Sequence, residues 1–187
     1  KLTNSQKSKL KSFIRTIPIS IALATALSSQ AVAAWTYNGS NVINNGTIGS
    51  QLNMGGGNYI SLTNDKSAPN LTFNANVTQG NSAIQGVPDN AAIYVGNGAI
   101  GGTITNNAIY TVGGGSKRGL VVSGANTTLQ AFVNNGTALQ TDGQPLLYLK
   151  QGGTIQNIIN NGEMINSGGS AGWAAVITLE SDGANVV

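Results

Sequence analysis

From Trp35 onward the chain is a series of short apolar runs of period two, broken by glycine and asparagine. Ile60-Ser61-Leu62, Ile93-Tyr94-Val95, Leu120-Val121-Val122, Leu147-Tyr148-Leu149 and Ile177-Thr178-Leu179 each set two aliphatic side chains two residues apart. Residues so spaced share one face of a strand, and nothing in the body shows the 3.6-residue spacing of a helix. The last members fall at 62, 95, 122, 149 and 179, in steps of 33, 27, 27 and 30 residues. A second marker keeps the same beat. Val42-Ile43-Asn44-Asn45-Gly46-Thr47-Ile48 returns as Thr103 to Ile109, Phe132 to Ala138 and Ile158 to Met164, with a weaker copy at Leu71 to Val77. The first Asn of each copy lies at 44, 74, 106, 134 and 160. Two markers with one loose period near thirty residues indicate stacked supersecondary units.

Each unit reads as a strand of the Leu147-Tyr148-Leu149 type, a Gly-rich turn, a strand such as Thr154 to Ile159, an Asn-Asn-Gly corner, a short strand and a loop. One such unit cannot bury its apolar face, whereas coils stacked on one another can. The pattern predicts an all-β protein, a right-handed parallel β-helix of about five coils. Like residues then lie above one another at ~4.8 Å. Each fully buried Ile or Leu contributes ~1.5–3 kcal/mol.

The corner residues Asn44, Asn45, Asn106, Asn107, Asn134, Asn135, Asn160 and Asn161 support two readings. Asn and Gly tolerate the left-handed backbone of a tight corner, and this conformational reading is the preferred one. The alternative is a column of side-chain amides, each hydrogen-bonded to the copy above. Loops at Met54–Gly57, Gly80–Asn90, Val112–Lys117 and Asn166–Trp173 vary in length, and in solenoids such excursions often carry binding.

The first 34 residues differ in kind. A basic segment from Lys7 to Arg15 precedes the apolar run Ile17–Leu27, and Gln30-Ala31-Val32-Ala33-Ala34 then places small residues for cleavage after Ala33 or Ala34. This is the layout of a secretory signal peptide, too short in its apolar run to span a bilayer. Residues 1–34 are therefore expected to be removed during export through the Sec translocon. Residues 35–187 form the β-helix, expected to continue beyond Val187.

Composition narrows the chemistry. Charged residues make up only 8 %, and Cys and His are absent. That excludes a disulfide-stapled fold, a Ser-His-Asp or Cys-His nucleophile and the usual zinc ligand sets. The net charge of +3 owes five bases to the head. Lys66, Lys117, Arg118 and Lys150 face six acids in the remainder, so no case for nucleic-acid binding survives. Gly96-Asn97-Gly98-Ala99-Ile100-Gly101 matches a dinucleotide fingerprint, but a strand-like segment follows it and the acidic partner is missing. No cofactor or metal is expected. Three residues stand out as candidate loop contacts. Lys117 and Arg118 read as a solvated loop tip in preference to an anion site. Trp173 reads either as an exposed anchor or as the first inward residue of its strand.

Export signal, cysteine-free Asn/Gly/Thr-rich body and repeats of the form Gly-Thr-Ile-x-Asn-Asn-Gly-x-Ile together resemble the N-terminal part of a bacterial autotransporter passenger. The resemblance lies in repeat style along the whole chain, and no catalytic motif takes part in it. It implies a right-handed β-helix displayed on the surface of a Gram-negative cell by a C-terminal β-barrel translocator outside this fragment. It further implies an adhesin-like role toward host surface, matrix or like cells, without catalysis here. Two alternatives remain open: a β-helical polysaccharide-degrading enzyme, and a structural stalk presenting another domain. The Gly-Asp-Ser-Gly protease motif and the Asn-Pro-Asn signature of related haemagglutinins are absent.

Overall fold

The paired aliphatic residues at thirty-residue intervals stack because each strand of a coil pairs with its counterpart in the next. The computed structural model describes residues 35–38, 43, 46–55, 57–63, 69–80, 88–169, 174–180 and 182–186. The signal-peptide reading with Ala33 and Ala34, the corner pair Asn44 and Asn45, and Trp173 all lie outside those residues.

The chain enters through β1 (Thr36–Tyr37), β2 (Thr47–Ile48) and β3 (Leu52–Met54). Next come β4 (Ile60–Leu62), β5 (Leu71–Phe73), β6 (Val77–Gln79), β7 (Ala91–Gly96), β8 (Ile100–Asn106) and β9 (Ile109–Val112). The run continues with β10 (Arg118–Ser123), β11 (Thr128–Asn134), β12 (Thr137–Gln140), β13 (Leu147–Lys150), β14 (Thr154–Asn160) and β15 (Glu163–Asn166). β16 (Ile177–Leu179) and β17 (Asn185–Val186) follow. Every third strand pairs. The first sheet runs β1-β4-β7-β10-β13-β16, the second β2-β5-β8-β11-β14-β17 and the third β3-β6-β9-β12-β15. The result is a β-solenoid of about four turns. All five marker strands of the first sheet, β4, β7, β10, β13 and β16, pair in parallel, and β1 adds to β4 antiparallel ahead of them.

The register reproduces the sequence columns. Ile60, Ile93, Leu120, Leu147 and Ile177 align, as do Leu62, Val95, Val122, Leu149 and Leu179. The first four of each column are buried in one continuous core, which also takes Leu71, Ile104 and Phe132 from the second sheet. Ile177 and Leu179 remain 39 % and 48 % exposed on the last described strand of the first sheet. Sizes compensate between coils in the third sheet: the fully buried Tyr110 is flanked by Val77 and Ala138, and its ring packs 5.5 Å from Phe73. Burial pushes the Tyr110 phenol above its ordinary value, so it stays protonated. Its hydroxyl and the Gln79 amide have no hydrogen-bond partner among the described residues, a cost of about 1–3 kcal/mol each.

The preferred reading of the Asn corners is overturned at the three corners whose Asn pairs are described. The corner residues Asn106, Asn107, Asn134, Asn135, Asn160 and Asn161 are not among the residues with positive φ. They form two amide ladders instead. In the buried one, Asn106 Nδ2 donates to Asn134 Oδ1 at 2.8 Å, and Asn134 Nδ2 donates to Asn160 Oδ1 at 2.8 Å. In the exposed one the donors point the opposite way along the stack: Asn161 to Asn135, Asn135 to Asn107 and Asn107 to Asn74. Gly136 and Gly162 follow their pairs for room, not for a left-handed turn, whereas Gly46 at the first copy has φ of 73° and does turn left-handed. A Cβ on Gly162 would lie 2.0 Å from the Gly136 carbonyl oxygen of the coil before.

Candidate functional site

Strand alternation assigns Tyr94, Val121 and Tyr148 to the outer side of the first sheet, where water is expected. They are in register with one another and nonetheless 6 %, 0 % and 3 % exposed. With Ala91 they form a second apolar cluster, separate from the interior core, and Tyr59 packs against it. Gly96 makes part of this possible: a Cβ there would lie 2.3 Å from the Tyr94 hydroxyl, so only glycine lets the ring lie flat across the strand.

Charged side chains surround this cluster. The Arg118 guanidinium stands 4.7 Å from the Tyr148 ring centroid and the Lys150 ammonium 5.8 Å from it, both within cation–π range. Both cations converge on Asp89. Lys150 Nζ lies 3.3 Å from Asp89 Oδ2, and the Arg118 terminal nitrogen donates to the Asp89 carbonyl at 2.7 Å while standing 3.8 Å from its carboxylate. Asp89 belongs to the short 3-10 turn Pro88–Asn90, in which Asp89 and Asn90 have φ of 61° and 51°. The turn is thus pinned to the sheet by two cations while holding two successive non-glycine residues in the left-handed region. Glu180 and Asp182 complete the group. Glu180 donates its backbone N–H to the Leu149 carbonyl at 3.0 Å, which sets it beside Lys150 in the next coil.

The Glu180 carboxyl is held above its ordinary pKa. Burial contributes most, then the hydrogen bond and like charge of Asp182 and the charge of Asp89, against the pull of Arg118. A carboxyl with a raised native pKa binds its proton more tightly when folded, so stability falls as pH rises from the ordinary carboxylate value through the raised one. Glu180→Gln is expected to flatten that window and raise stability at neutral pH by less than about 1 kcal/mol, measured by urea denaturation from pH 4 to 8.

Lys117 and Arg118 are not a solvated tip. Gly114, Gly115 and Ser116 turn the chain through three left-handed residues, and Lys117 then folds back so that its side chain is fully buried. Its ammonium donates to the Gly114 carbonyl and its backbone N–H to Asp142 Oδ2 at 2.9 Å, while Gln140 donates to its carbonyl at 2.8 Å. Desolvation lowers its pKa against the Asp142 charge. A buried ammonium held by one carbonyl adds little to stability. Lys117→Met is therefore expected to leave the unfolding free energy measured in urea unchanged or to raise it by up to about 2 kcal/mol.

The dinucleotide-like glycines lie in a strand–turn–strand, with Asn97 and Gly98 left-handed before β8, and no helix follows to face a pyrophosphate. Of the described residues singled out as candidate contacts, Lys117 and Arg118, only Arg118 stands at the outer cluster. Asp89, Tyr94, Tyr148, Lys150 and Glu180 were missed as a group, although a signal existed: charges at 89, 118, 150 and 180 recur in steps of 29, 32 and 30, the period of the coils. No family model matches this chain, and neither the curated proteins nor the solved structures yield a match.

Proposed function

We propose that the chain is the β-helical passenger segment of an exported bacterial surface protein, with an adhesin-like binding role and no catalysis in this segment. One observation carries the reading. In a body so poor in charge, Asp89, Arg118, Lys150, Glu180 and Asp182 gather on one side, around two tyrosines. Outward positions of the second sheet are uncharged by comparison, for example the column Thr72, Thr105, Val133, Ile159. Arginine is enriched where proteins bind others, and the buried tyrosines hold the charged groups on a face that a solenoid presents rigidly. The export signal read over residues 1–34 and the cysteine-free composition support display outside the cell. A Gram-negative outer surface, with the translocating barrel supplied elsewhere, is the setting the repeat style suggests.

The test is adhesion of cells displaying the chain. Wild-type display is expected to bind host cells or matrix, and Arg118→Gln/Lys150→Gln display to lose most of that binding at equal surface level. Equal binding by both would remove the face from the proposal. The enzymatic alternative draws on the raised Glu180 carboxyl beside Arg118, a feature of general acids. Release of reducing ends or unsaturated products from polysaccharides, abolished in Glu180→Gln, would favour it.

A further inference from the structure

We propose that Arg118 and Lys150 form a binding site for the carboxylate groups of an acidic polysaccharide, which Asp89 occupies in its absence as an internal stand-in. The inference rests on the binding role proposed above and names its ligand class. Three features separate this arrangement from an ordinary surface ion pair.

Asp89 fills the site poorly. Its carboxylate stands 3.8 Å from the Arg118 terminal nitrogen, and Arg118 spends that donor on the Asp89 backbone carbonyl. Arg118 Nε is buried with no hydrogen-bond partner among the described residues. A planar guanidinium binds a carboxylate best through two parallel N–H donors, and this geometry leaves that mode unused. Asp89 is also held in a left-handed conformation, as is Asn90 after it, so letting go relieves the backbone. Finally, the cations do not depend on Asp89 for position. Arg118 reaches over the Tyr148 ring from the neighbouring strand β10, and Lys150, two residues along β13 from Tyr148, approaches the same ring.

The surroundings favour a sugar acid over an acidic peptide. Gln151, exposed next to Lys150 and held at 3.0 Å by the buried Ser123 hydroxyl on its Oε1, keeps its amide N–H groups free to meet sugar hydroxyls.

The experiment uses the purified chain with hexagalacturonate as the acidic probe and maltohexaose as the neutral one, read by calorimetry at low and moderate salt. Asp89→Asn keeps a side chain that tolerates the left-handed turn but removes the competing charge. It is expected to bind hexagalacturonate at least fivefold more tightly than wild type. Lys150→Gln in that background is expected to lose at least fivefold, and maltohexaose to bind neither. Added salt should weaken binding. Asp89→Asn binding no tighter than wild type, or equal affinity for both sugars, overturns the proposal. Circular dichroism confirms that each variant keeps its strand signal, and Lys150→Gln in the wild-type background supplies a second variant if Asp89→Asn misfolds. Loss of glycan binding with surface adhesion intact would sink this inference alone; loss of adhesion with glycan binding intact would sink only the broader role.

Discussion

Leu147→Asp is expected to destabilise the chain by about 4 kcal/mol or more, enough to unfold a marginal domain. Leu147 is fully buried between Leu120 and Ile177 in the inward column of the first sheet. A carboxylate there has no partner, because the neighbouring inward positions are aliphatic. Thr178→Asp supplies the control on the outer face. Thr178 is half-buried and in register with Tyr148, close to the cations of the outer cluster, and its loss is expected to stay below about 1 kcal/mol. A third variant separates structure from pattern. Tyr148→Asp lies on the outward side, where alternation alone predicts a mild effect, yet Tyr148 is 3 % exposed and packed with Val121 and Tyr94. It is expected to cost several times as much as Thr178→Asp. Urea unfolding at equal m-values decides. If Tyr148→Asp and Thr178→Asp cost the same, the outer cluster contributes little to stability.

That contrast marks where reading the residues succeeds. Aliphatic pairs such as Leu120 with Val122 reveal the coil because inward position and strand period are one geometric fact. A slip of one residue would turn both toward water. The middle residue of each triplet is a different matter. Alternation tells that Val121 faces outward, but cannot tell that Tyr148, Tyr94 and the cations above them then cover it. The same limit applies to Lys117, whose neighbours Gly113, Gly114, Gly115 and Ser116 suggest an exposed tip. Three consecutive left-handed residues bend that segment back over its own lysine instead. Composition also fails to separate the two uses of Asn. A residue that tolerates positive φ and a residue that stacks its amide are the same residue, and only the backbone angle distinguishes them. The outer cluster is legible in part, since charge at 89, 118, 150 and 180 keeps the coil period of the apolar residues and so falls on successive coils.

The buried amide ladder leads to the second large effect. Asn134 is fully buried and spends every polar atom: Oδ1 accepts from Asn106 Nδ2 at 2.8 Å, and Nδ2 serves Asn160 Oδ1 at 2.8 Å, the Glu163 carbonyl at 2.9 Å and the Gly136 carbonyl at 3.1 Å. Asn134→Ala strips donors from two backbone carbonyls and an amide oxygen, and leaves a small void. Its expected cost is about 2–4 kcal/mol. Asn135 makes the matching contact in the other ladder, donating to Asn107 Oδ1 at 2.8 Å, but in contact with water. Water replaces a lost partner there, so Asn135→Ala should cost less than about 1 kcal/mol. The two substitutions change adjacent residues of identical type in one corner, so propensity and composition cancel between them. A double-mutant cycle on Asn106 and Asn134 should give a coupling of about 0.5–3 kcal/mol, whereas Asn107 and Asn135 should give almost none. Equal losses at the two positions would mean that the corners hold by backbone geometry alone. The inequality expected here requires the stacked amides themselves to tie each coil to the next.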